Sequence, residues 1–313
     1  MDQGLVSNRH PFLSLLYIVI MIGAGFLLIG PGVGIAVAAQ FYEGDLLSLL
    51  QTGPDYSVFL PLMIMQGFAS LIGLIIIPII YLRVFERKPL KPFATFHEPW
   101  LILLPVLIAT GISFQVALSP IIEWNMEFQF PDFMKSFGEW AREREDALME
   151  LTNVLTDFQS TPDFLLAFVV IALLPGIGEE LVFRGLIQNE LKRGTGNPHV
   201  AIWMAAFLFS AIHMQFFGFV PRLLLGALFG YLYHWSGNLL VPMFAHFFHN
   251  GFALLMMFLY KRGVTELDME SNEAAPWPWV VTGLIATFVL LAYLKKFYAA
   301  QPLSRDSDPF KIQ

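Results

Sequence analysis

Residues 162–187 read PDFLLAFVVIALLPGIGEELVFRGLI. The run is apolar for most of its length, and it is long enough to cross a bilayer, which takes about 20 residues of helix. It nevertheless carries two adjacent carboxylates, Glu179 and Glu180, and an arginine, Arg184. An ionisable side chain inside the hydrocarbon costs about 2.5–3.5 kcal/mol on insertion scales, and such residues face the interior of a helix bundle. Pro175, Gly176 and Gly178 loosen the helix just before the carboxylates. The stretch predicts a buried membrane helix built around charge.

The rest of the chain fits that frame. Of 313 residues, 56% are hydrophobic and 14% charged, against about 45–50% and about 25% in soluble domains. Apolar blocks predict helices at 12–39, 58–82, 99–121, 162–187, 200–219, 222–235, 239–260 and 277–296. The expected fold is all-α: one polytopic transmembrane bundle of about eight helices with a buried polar cavity, spanning 1–313. A bend or re-entry is expected at Gly30-Pro31-Gly32, and the sixth block is short enough to be tilted or incomplete. The first block lacks a small-residue cleavage site and reads as a retained anchor.

Charge is distributed unevenly. Arg9, the loop with Arg83, Arg87, Lys88 and Lys91, the pair Lys192-Arg193 and the pair Lys295-Lys296 alternate with acidic or neutral loops at 40–57, 122–161 and 216–221. Lys261 and Arg262 conflict mildly with this alternation, although Glu266, Asp268, Glu270 and Glu273 follow them. By the positive-inside rule both termini are expected in the cytoplasm, in a cell (inner) membrane. Segment 122–161 is acidic, and 132–160 is amphipathic, as expected of a solvated extracytoplasmic helix. No basic patch suggests nucleic acid. The absence of cysteine rules out thiol catalysis, thiolate metal sites and disulfides.

Glu180 and Arg184 are four apart and share a helix face, while Glu179 lies about 100° round from Glu180. Beside a second carboxylate in a low-dielectric site, Glu179 has the surroundings of a general base. The fifth block contains Phe209 and His213, and the seventh contains His246, His249 and Asn250. His213 taken alone reads as a bundle histidine, and Gln215 as an interface residue. His246 and Asn250 lie one turn apart on one face. Interhelical hydrogen bonding is the plainer reading of such residues. Three helices carrying carboxylates, imidazoles and an amide at comparable depth point instead to one polar pocket.

Glu179-Glu180 with Arg184, Phe209 with His213, and His246 with Asn250, in this order, closely resemble the three motifs of the CPBP intramembrane peptidases. That family includes type II CAAX prenyl endopeptidases and the bacteriocin-processing and abortive-infection proteins. The resemblance covers residues 162–255, the expected catalytic core; residues 1–160 and the tail carry no matching motif. It implies hydrolysis of a peptide bond in a membrane-associated substrate, prenylated or leader-bearing. Glu179 would activate water, helped by His213. His246 and Asn250 would stabilise the oxyanion, and Glu180 and Arg184 would orient the site. Glu179, His213 and His246 have ligand types suited to zinc, and the metal question stays open. His249 falls outside the motif. A proton-coupled transporter and a non-catalytic scaffold are the alternative functions.

Overall fold

The computed structural model describes residues 9–41, 56–86, 99–266 and 272–300. Among these there is no strand. Seven helices are long and apolar enough to cross a membrane: α1 Pro11–Ala38, α2 Tyr56–Phe85, α3 Trp100–Met126, α5 Thr161–Thr195, α7 Phe216–Ser236, α8 Leu240–Lys261 and α9 Trp277–Ala299. Between them lie α4, Lys135–Leu155, and α6, Pro198–Ala211. The all-α membrane bundle holds, and the chain is an integral multi-pass membrane protein. Apolar side chains such as Leu101, Leu28 and Phe288 point outward, as they must where lipid is the solvent.

Two boundaries differ from the sequence reading. The fifth predicted helix, 200–219, stops at Ala211. Its 14 residues, at about 1.5 Å each, reach about 21 Å, short of the roughly 30 Å hydrocarbon core. The break was hidden because Met214, Phe216 and Phe217 continue the apolar run. Met214 enters the left-handed region at φ 55°. Asn125 of α3 then pins the reversal, with its Nδ2 donating to the Phe216 carbonyl at 3.2 Å and its Oδ1 accepting from Val220 N at 2.9 Å. The sixth helix is consequently the full-length one. The fourth runs past 187 to Thr195 and ends at Gly196, φ 67°. There Asn189 donates to the Arg184 and Gly185 carbonyls, both at 3.0 Å, so a polar stretch stays helical.

Proline sets the local geometry of three helices. A π-helical segment precedes Pro31 (Gly25–Ile29), Pro78 (Ser70–Ile76) and Pro175 (Phe168–Leu173). Proline has no N–H to offer the carbonyl four residues back, and its ring crowds that carbonyl. A π turn inserts the extra residue that relieves the clash. The bend expected at Gly30-Pro31-Gly32 is absorbed in this way, and α1 continues to Ala38.

Contacts also sort the loops into two faces. Arg193 donates to the Arg9 carbonyl at 2.8 Å, joining the chain before α1 to the last turn of α5. The opposite ends meet through Asn125 with Phe216 and through Lys261 Nζ with the Thr156 carbonyl at 2.8 Å. Lys261, the apparent exception to the charge alternation, therefore neutralises a helix C-terminus on the acidic face. Arg87, Lys88, Lys91 and most of the 40–57 loop lie outside the described residues.

Gly176 decides where the charged segment of α5 rests. A Cβ there would lie 2.9 Å from Phe247 Cα and N on α8. Only glycine lets the two backbones come this close, and the approach brings α5 and its glutamates against the helix that carries His246.

Candidate active site

Glu180 is fully buried, and its Oε1 accepts from two partners. Arg184 Nη1 lies at 2.7 Å, one turn along the same helix. His246 Nδ1 lies at 2.8 Å, on α8. Since this oxygen already accepts from a guanidinium, the hydrogen between it and the imidazole is assigned to Nδ1. Arg184 Nη2 donates to the Gly226 carbonyl of α7 at 2.6 Å. One ion pair thus ties α5, α7 and α8 together.

Two phenylalanines shape the cluster. The His246 ring stacks on Phe229 at 4.9 Å and meets Phe209 edge-on at 5.9 Å. The Arg184 guanidinium lies over the same two rings, at 4.8 Å from Phe209 and 5.5 Å from Phe229. These contacts hold the cation and the imidazole flat and keep water from the pair, which strengthens their attraction to Glu180.

Glu179 is placed differently. Its side chain is 16% exposed, against 0% for Glu180. Its Oε2 faces His246 Nε2 at 3.9 Å. That is too long for a hydrogen bond, and an oxygen set to one side of the two atoms could bond to both. The adjacent carboxylates have therefore separated into one locked in the fold and one facing an open position.

His213 lies in the turn after α6, not within a helix. Its Nδ1 is 2.7 Å from the Phe209 carbonyl and its ring is 5.2 Å from the Phe209 ring. A carbonyl only accepts, so Nδ1 carries the hydrogen and Nε2 keeps its lone pair. The Phe209 ring touches both imidazoles, which accounts for a phenylalanine four residues before His213. Asn250 donates from Nδ2 to the Ile171 carbonyl at 3.2 Å. Ile171 is four residues before Pro175, so this is the carbonyl that the proline leaves without its usual α-helical donor.

A type II CAAX prenyl endopeptidase Rce1-like family model matches residues 161–252, the segment that supplies all these side chains. Membrane-embedded CAAX protease MroQ of Staphylococcus aureus (strain USA300) is 29% identical over 108 residues, 33% of this chain and 43% of its own length. Over this segment the chain is similar to the CPBP family. A second relative, the uncharacterized protein YpbD of Bacillus subtilis (strain 168), is 32% identical over 111 residues, 34% of this chain and 54% of its own length. The chain thus spans about half the length of these curated relatives. No solved structure matches it.

The CPBP motifs come together unequally. Glu179, Glu180, Arg184 and His246 form one cluster, His213 stands one aromatic ring away, and Asn250 faces the α5 backbone. A family metal finds no ready set of ligands. Among the described residues no group of three or more His, Asp or Glu is placed to hold one. The Nδ1 atoms of His246 and His213 already face Glu180 and the Phe209 carbonyl, and among the described residues Glu179, His213 and His246 form no such group.

Sequence reasoning missed Arg222 of α7. Its Nη2 donates to Gln215 Oε1 at 2.7 Å, two residues from His213. Arg222 lies near the start of a membrane helix, where a cation reads as a headgroup residue. Its spacing from the motif residues carries no signal.

Proposed function

We propose that the protein is an intramembrane endopeptidase in which Glu179 activates the attacking water. The observation that supports this best is the division between the two glutamates. Glu180 is held by Arg184 and His246, whereas Glu179 faces His246 Nε2 across 3.9 Å. A water in that gap gives a proton to Glu179 and attacks the substrate carbonyl. The peptide C–N bond breaks as Glu179 returns the proton to the leaving amine. The lone pair on His213 Nε2 orients the water. His246, when it carries a second proton, presents Nε2–H to the oxyanion. Asn250 serves through Ile171, holding α5 where proline has removed a hydrogen bond.

The substrate class is a peptide or protein segment at the membrane, prenylated or leader-bearing. Mass spectrometry of membrane peptides from cells with the wild type and with Glu179→Ala tests this reading. Products that vanish with Glu179→Ala are expected; identical peptide sets would overturn it. No step of this chemistry uses a metal, so cleavage should survive dialysis against a strong chelator. Loss under chelation, restored by added zinc, would replace the glutamate-only mechanism.

The reading includes a multi-pass location in the cell (inner) membrane with both termini in the cytoplasm. It is supported by the Arg9–Arg193 contact, which puts basic segments on one face. Reporter fusions after residue 300 should be active for a cytoplasmic reporter and silent for an exported one; the reverse would invert the topology.

A further inference from the structure

Helix α4 is charged and largely exposed, yet Glu145 on it is buried. Its Oε1 accepts from Gln215 Nε2 at 3.3 Å and its Oε2 from Phe217 N at 3.4 Å. Gln215 in turn accepts from Arg222 at 2.7 Å. An unbroken chain therefore runs from the acidic helix α4, through the turn that carries His213, to the guanidinium of Arg222. The guanidinium lies against Gly218, where a Cβ would sit 3.3 Å from Nη2 and 3.6 Å from Nη1. Gly218 has an ordinary φ of −112°, so glycine serves here to make room.

Arg222 Nη1 is turned inward and has no hydrogen-bond partner among the described residues. A charged donor left in this state is costly, and an acceptor brought by a substrate would remove that cost. The reaction proposed above gives the oxyanion one donor, His246, and has room for a second. Glu180 and the Gly226 carbonyl occupy both terminal nitrogens of Arg184, and Asn250 already donates to Ile171. Arg222 is hydrogen-bonded through Nη2, which leaves Nη1 open to an arriving acceptor.

We propose that Arg222 is a further catalytic residue, its Nη1 donating to the oxyanion of the substrate carbonyl, with Gln215 and Glu145 as positioning residues. Arg222 gives a hydrogen bond and loses no proton. The assignment rests on the peptidase reading. The test uses the full chain in phospholipid vesicles with lipid-anchored fluorogenic peptides. An interaction made only in the transition state lowers kcat and leaves KM in place. Arg222→Gln is expected to lower kcat about 10²–10³-fold, the range for one oxyanion donor, and Arg222→Lys to recover part of it. Gln215→Leu leaves the charge present but unheld and should lower kcat alone, by a smaller factor. It decides the matter if Arg222→Gln does not accumulate. Unchanged kcat, or a rise in KM alone, would overturn the assignment while leaving Glu179-dependent cleavage standing. Wild-type cleavage that does not depend on Glu179 would overturn the peptidase reading and this assignment together.

Discussion

Glu179→Gln is expected to slow peptide cleavage about 10²–10⁴-fold, the usual contribution of a positioned general base, and to leave thermal stability nearly unchanged. The two halves of this expectation have one cause. Glu179 is the partly exposed member of the pair, and its nearest ionisable contact, His246 Nε2, is 3.9 Å away. No helix depends on it for a partner, so the amide leaves nothing buried and unsatisfied. It cannot take a proton from water at the pH where the carboxylate can. Single-turnover cleavage in vesicles measures the first half, and tryptophan fluorescence on heating in detergent measures the second. A variant that cleaves at the wild-type rate removes Glu179 as the base. One that melts far lower would show that the residue carries structure instead.

The neighbouring position should behave in the opposite way. Glu180→Ala leaves Arg184 buried without its ion-pair partner and removes the acceptor of His246 Nδ1. Losing one member of a buried pair costs about 3–5 kcal/mol, and stranding a neutral donor adds about 1–3 kcal/mol. The protein should fail to accumulate or melt far below the wild type. Glu180→Leu combined with Arg184→Met removes both charges, and apolar replacement of a whole pair is often neutral. The double variant should regain most of the stability, less the part due to His246, and remain inactive. Equal melting of the wild type and Glu180→Ala would refute the view that this pair ties α5, α7 and α8.

The contrast between two residues that adjoin in sequence marks the limit of what sequence conveys. Helix lengths were legible because a bilayer demands about 20 apolar residues per crossing, and seven of the eight predicted blocks became long membrane helices. The Glu180–Arg184 pair was legible because i and i+4 meet on any α-helix. The end of α6 was not legible. Ile212, Met214, Phe216 and Phe217 carry the apolar run past Ala211, and the turn is held by Asn125, more than 80 residues away. Gln215 looked like an idle interface residue because its partners, Glu145 and Arg222, come from two other helices.

The sequence by itself determined the all-α membrane class, the order of the motif residues and the helix face shared by Glu180 and Arg184. Each follows from composition, length or a local repeat. Only the tertiary structure decided which glutamate is locked and which is open. That choice depends on His246, 66 residues from Glu180, bonding to one carboxylate and standing 3.9 Å from the other. It likewise decided that Asn250 serves the carbonyl opposite Pro175 and that Arg222 bonds to Gln215, two residues from His213. The physical reason is the same in each case: a side chain's partners across helices are set by how closely the backbones pack, and glycines such as Gly176 control that approach from positions that carry no chemistry.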